Sequence, residues 1–129
     1  MASDPHTASD APPRPTEQPD GLAPTFLCGI GGSGMSPLAQ VLRHRGEAVR
    51  GSDRSFDRGD NDWIRRSLRD QGVSVYPQDG SGVPGARELV VSSAVEHDNP
   101  DVMAALSLGL PVRKRADLLA DLFNASDGI

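Results

Sequence analysis

The chain has one cysteine, Cys28, in 129 residues, so no disulfide framework and no cysteine-based zinc site can be built. It has no run of about 18 apolar residues and no apolar segment behind its N-terminus, hence no membrane span or secretion signal to read. A soluble, cytoplasmic protein with no membrane partner is the expectation. It also lacks an excess of positive charge, the formal net charge being -5. Arg65, Arg66 and Arg69 cluster, but Asp62 and Asp70 interleave with them at helical spacing, which reads as a salt-bridged surface. No nucleic-acid partner is implied. No pair of carboxylates stands apart as an acid/base couple, so no catalytic residue and no metal ligand is expected here.

Large apolar residues are scarce in residues 1–24, which hold six of the eleven prolines. Such a segment buries too little surface to offset its ordering entropy, and it is expected to be a disordered tail. Roughly 100 residues remain, enough for one independent core but few for separate nucleotide and substrate domains.

From Thr25 onward the pattern alternates strand and helix. Thr25 to Cys28 is a short apolar run, and Met35, Leu38, Ala39 and Leu42 recur at helical spacing, with Pro37 in the first turn and Gly46 beyond the end. A second strand is expected over Glu47 to Gly51, followed by a helix capped at Asp60 or Asn61 with Ile64 and Leu68 inward. Val73 to Tyr76 forms a third strand, Pro77 to Ala86 a loop, and Glu88 to Val91 a fourth strand. Asn99, Pro100 and Asp101 are a cap, a first-turn proline and an acid beside the positive helix end, and they open a helix carrying Val102, Met103 and Leu106. Pro111 to Arg113 is the fifth strand. Leu118, Leu119, Leu122 and Phe123 stripe a last helix, after which Asn124 to Ile129 reads as a turn. Met35, Met103 and Phe123 are expected to fill the core, and Cys28 to act as a small buried hydrophobe.

Parallel neighbours need crossover connections, so this order predicts an α/β fold: a Rossmann-like three-layer domain over residues 25–124 with about five parallel strands. Residues 125–129 would begin a linker.

Between the first strand and first helix lies Cys-Gly-Ile-Gly-Gly-Ser-Gly-Met-Ser, residues 28 to 36. Gly29, Gly31 and Gly34 satisfy G-x-G-x-x-G, and Gly32 bares the loop further. Without Cβ atoms, its N–H groups can approach an anion at the positive end of a helix. Asp53, about 19 residues beyond Gly34, occupies the ribose-reading position of such a unit, or else is a turn or cap residue. Ser92 and Ser93, after the fourth strand, either line the same crevice or satisfy loop backbone.

The segments Gly-Ile-Gly-Gly-Ser-Gly-Met-Ser at 29–36, Gly-Ser-Asp at 51–53, Val-Val-Ser-Ser-Ala at 90–94, Asp-Asn-Pro-Asp at 98–101 and Leu-Pro-Val-Arg-Lys-Arg-Ala-Asp-Leu-Leu-Ala-Asp-Leu at 110–122 resemble, in order and spacing, the N-terminal domain of the Mur ligases. The likeness is nearest to the branch that joins L-alanine to UDP-N-acetylmuramate. It implies an ATP-dependent, amide-forming enzyme of bacterial peptidoglycan synthesis, whose N-terminal domain binds the UDP part of a UDP-sugar. Further domains would bind ATP with magnesium and the amino acid. By this likeness Gly29, Gly31, Gly32, Ser33 and Gly34 hold the diphosphate. Ser52, Asp53 and Arg54 meet the uridine, and Ser92 and Ser93 line the crevice. The run from Arg54 to Asp62 departs from the Thr-x-x-Leu opening usual in that branch, so a paralogue with another acceptor fits the same domain.

No G-x-x-x-x-G-K-[ST] phosphate loop occurs, nor the family's Gly-Thr-x-Gly-Lys-[Ser/Thr] form. The resemblance therefore implies a substrate-binding piece lacking its ATP-binding and C-terminal domains, with no cofactor of its own and inactive alone. The competing reading is an NAD(P)-binding domain of an oxidoreductase or ligand-sensing module, with Asp53 on the adenosine ribose.

Overall fold

The computed structural model describes residues 23–93 and 96–127, with side chains up to residue 122. Five strands, β1 (Thr25–Cys28), β2 (Val49–Ser52), β3 (Ser74–Tyr76), β4 (Glu88–Val91) and β5 (Val112–Lys114), form one sheet in the order β3-β2-β1-β4-β5, every pairing parallel. β1, β2 and β4 are buried along their whole length, the burial expected of parallel strands covered on both faces. Side chains alternate between two cores. Leu27 and Val90 pack with α1 (Met35–His44), α2 (Arg54–Asp57), α3 (Asp62–Asp70) and α5 (Arg115–Asp127) through Met35, Leu42, Phe56, Leu68 and Leu118. Phe26, Cys28, Leu89 and Val91 pack on the opposite face with Val102 and Ala105 of α4 (Pro100–Leu108) and with Val83 and Ala86.

The loop between β3 and β4 thus takes the place a crossover helix would occupy. Arg50 pins it from inside β2. Its Nη1 donates to the carbonyls of Gly82 at 3.0 Å and Pro84 at 2.8 Å, and its guanidinium lies 5.6 Å from the Tyr76 ring centroid. A buried cation in a strand is tolerable because carbonyls replace its water.

Several expectations are revised. Met103, expected in the core, is 55% exposed, and Leu106 on the same helix is 49% exposed. α4 is apolar around most of its circumference, so spacing alone cannot show which side faces the sheet. Its orientation comes from the first turn, where Asn99 Oδ1 accepts from the N–H of Asp101 at 2.9 Å and of Val102 at 3.4 Å and Asp101 is drawn inward. Asn61 precedes α3 in a left-handed conformation, but its side chain makes no cap and donates instead to Ser55 Oγ at 3.1 Å. α2 lies within the polar run and buries Phe56. α5 continues through Asp127, past the turn expected at Asn124. Residues 1–22 of the expected tail, and the Phe123 side chain, lie outside the described residues.

Candidate functional site

The strand order reverses between β1 and β4, because β2 lies on one side of β1 and β4 on the other. In open α/β sheets a crevice forms at this point, beyond the carboxyl ends of the strands. Here it measures about 280 Å³. Cys28 and Gly29 reach it from the end of β1, Asp53 and Arg54 from the end of β2, and Ser92 and Ser93 from the end of β4. Gln78, Glu96 and Asn99 complete the wall and were not singled out from the sequence as crevice residues. Asn99 was legible as a helix cap. Gln78 carries no local signal, being one polar residue in a loop.

Asp53 organises the entrance. Its Oδ2 accepts the Gly31 N–H at 2.9 Å, while Oδ1 accepts the Ser55 N–H at 2.8 Å and the Ser55 hydroxyl at 2.6 Å, capping α2. The cap reading of Asp53 therefore holds structurally, and the same carboxylate still borders the crevice.

The glycine loop spends most of its donors internally. The N–H groups of Gly29 and Ile30 both donate to the Ser52 carbonyl, at 2.8 and 2.9 Å, and that of Gly32 donates to Gly29 at 3.0 Å. With Gly31 committed to Asp53, the N–H groups of Ser33 and Gly34 are the two left without a hydrogen bond among the described residues. Ser52, expected at the uridine, is fully buried, and its hydroxyl donates to Asp101 Oδ2 at 2.5 Å. It supports the crevice from below and does not face it.

A polar network forms that support. Asp101 Oδ1 accepts the Gly80 N–H at 2.7 Å, and Gln78 Nε2 donates to Ser52 Oγ at 3.2 Å. Asn99 Nδ2 donates to Gln78 Oε1 at 3.1 Å, and the Cys28 thiol approaches Asn99 Oδ1 at 3.7 Å. Burial raises the Asp101 pKa, against the opposing hydrogen bonds from Ser52 and Gly80. Burial, reinforced by the Asp101 charge, pushes the Cys28 thiol from 9.0 up to about 12. Cys28 is thus a buried thiol whose ionisation is disfavoured. Across the mouth, Arg54 Nη2 pairs with Glu96 Oε1 at 3.3 Å, but both side chains are more than half exposed and the pair adds little stability.

The thiol makes a prediction about alkali. Unfolded, Cys28 ionises near 9.0; folded, it keeps its proton to about 12, so stability is full below pH 9 and falls as pH rises between these values. Urea melts at pH 8, 9 and 10 should show the wild-type chain losing about 1 kcal/mol per pH unit more than Cys28→Ala above pH 9. Parallel pH profiles for the two would contradict it.

The model of the Mur ligase family, catalytic domain, matches residues 26–127. A UDP-N-acetylmuramate–L-alanine ligase of Nitratidesulfovibrio vulgaris is 46% identical over 104 residues, covering 80% of this chain and 22% of the relative. One from Methylobacterium radiotolerans is 43% identical over 105 residues, covering 81% of this chain and 21% of the relative. The chain therefore spans about a fifth of the length of these relatives. Among solved structures, the UDP-N-acetylmuramate-alanine ligase of Thermotoga maritima superposes with a TM-score of 0.70 over 80% of this chain and 23% of that one; at 24% identity it speaks for the fold. The UDP-N-acetylmuramate:L-alanyl-gamma-D-glutamyl-meso-diaminopimelate ligase of Neisseria meningitides, 26% identical, gives 0.61 over 72% of this chain and 28% of that one. Since the family match runs through the glycine loop, the whole sheet and the last helix, the chain belongs to the Mur ligase family.

Proposed function

We propose that these residues form the substrate-binding domain of an ATP-dependent ligase that joins an amino acid to the carboxylate of a UDP-sugar, UDP-N-acetylmuramate in the first instance, in the bacterial cytoplasm. The domain grips the UDP portion. The diphosphate lies on the glycine loop from Gly29 to Gly34, and the uridine enters the crevice beside Asp53 and Arg54, with Ser92 and Ser93 on the facing wall. One observation carries the reading: a polar crevice at the switch point is walled by the ends of β1, β2 and β4 and adjoins a glycine loop with two uncommitted N–H groups. A diphosphate-linked nucleoside has the shape and charge for that arrangement.

Among the described residues no group of three His, Cys, Asp or Glu side chains could hold a metal ion. ATP and magnesium are proposed to bind in the further domains of the full-length enzyme, and the domain alone is proposed to bind substrate without turnover. No helix among the described residues is long and apolar enough to cross a membrane.

Calorimetric titration of the chain with UDP-N-acetylmuramate and with NADH tests the proposal, and tighter NADH binding would refute it. Gly32→Val sharpens the test. Gly32 is exposed, and a Cβ there meets only the Gly29 carbonyl, at 3.3 Å, so the fold should persist while a branched side chain stands where phosphate must approach. A loss of at least tenfold in UDP-N-acetylmuramate affinity is expected. Unchanged affinity would remove the diphosphate from this loop.

A further inference from the structure

Arg115 is the first residue of α5, within the Arg-Lys-Arg segment whose chemistry the sequence left unassigned. Its guanidinium lies against the bare backbone of Gly34. A side chain on Gly34 would overlap Nη1 and come within 2.6 Å of Cζ. Gly34 in turn is the cap residue of α1, a helix with no side-chain cap and no acidic residue in its first turn. The Nε of Arg115 is buried without a hydrogen-bond partner, and no carboxylate among the described residues pairs with the guanidinium. Its neighbour Arg113 makes the contrast, pairing with both Glu88 and Asp121.

This placement is unfavourable for the chain alone. A cation begins one helix and rests on Gly34 at the positive end of another, where the N–H groups of Ser33 and Gly34 are unused. An uncompensated, partly desolvated guanidinium is costly, and one bound anion would answer the two helix ends, the two N–H groups and the cation together. We infer that Arg115 is a binding residue for the diphosphate, reaching over the start of α1 from α5 to close the phosphate site that the glycine loop leaves open on one side. The inference rests on the UDP reading for the identity of the ligand, but on Arg115 itself for the anion.

The test titrates the wild-type chain, Arg115→Met and Arg115→Lys with inorganic pyrophosphate, UDP and uridine. Methionine keeps an unbranched apolar stem against Gly34, and thermal melts of all three proteins establish that they fold. Arg115→Met is expected to lose about tenfold to a hundredfold in pyrophosphate and UDP affinity with uridine unchanged. Arg115→Lys should fall between, since the charge remains and the planar fork does not. Equal pyrophosphate and UDP affinity in wild type and Arg115→Met overturns the role of Arg115 and leaves the UDP reading standing. Pyrophosphate binding that depends on Arg115 but gains nothing from the uridine of UDP upholds the anion site and overturns the UDP reading. A wild-type chain that binds neither pyrophosphate nor UDP overturns both.

Discussion

Gly51→Val is expected to destabilise the domain by more than about 3 kcal/mol, a large fraction of the stability of a domain this size. A Cβ on Gly51 would sit 2.5 Å from Ile30 Cδ1, 2.8 Å from Ile30 Cβ and 2.9 Å from the Leu27 carbonyl oxygen. The first atom is a side-chain tip and can move. The carbonyl is backbone of β1, in register with Gly51 itself, and cannot move without breaking the β1–β2 ladder. Even Gly51→Ala introduces this clash, so it should lower the melting temperature by roughly 10–20 °C, with valine worse. A calorimetric melt of the alanine variant coinciding with wild type would show that the two strands separate more freely than their packing implies. Because Ile30 lies within the glycine loop, a folded remnant should also bind UDP poorly.

Asp101→Ala should cost about 3 kcal/mol in urea melts, for a different reason. The carboxylate is fully buried and accepts from the Ser52 hydroxyl and the Gly80 N–H; alanine takes away the acceptor of both donors. Asp101→Asn keeps one acceptor and should cost about half as much at neutral pH. The sign of its pH dependence is diagnostic. Burial raises the Asp101 pKa, so the folded chain binds a proton more readily than the unfolded one, and wild type gains stability as pH falls through the folded value. The penalty of Asp101→Asn is therefore expected to grow on mild acidification, and a penalty that shrinks would mean that Asp101 is ionised and comfortable where it lies.

Both residues belong to short motifs visible in the sequence, yet the reason for each is visible only in three dimensions. Gly-Ser-Asp at 51–53 reads as the end of a strand and a possible ribose contact. In the folded chain Gly51 makes room for Ile30, Ser52 faces the buried carboxylate, and Asp53 ties the glycine loop to α2. β1, β4 and the start of α4 were legible because their signals are local: fully buried apolar runs, and a cap followed by proline. The Cys28 thiol was read correctly as buried for the same reason. α2 was not legible, since four residues hold too little periodicity and Phe56 is buried by distant partners. The crevice was half legible. The ends of three strands could be named in advance, but Gln78 arrives on a loop and Arg115 reaches Gly34 only because α5 returns to the face of the sheet that carries α1.

The strand order has a further consequence while the chain is being made. Of the five strands β1 is the first to leave the ribosome, and its Thr25 pairs on one side with Val49 and on the other with Glu88. At about 5–20 residues per second, β2 follows within a few seconds, whereas β4 arrives roughly 3–13 s after β1. Throughout that interval the central strand of the finished sheet is an edge strand, with one row of backbone donors and acceptors open to any passing β-segment. The residue that ends this exposure is not in the phosphate loop at all; it is Val90 of β4, which stands opposite Leu27, and a nascent chain stalled before it keeps that edge open.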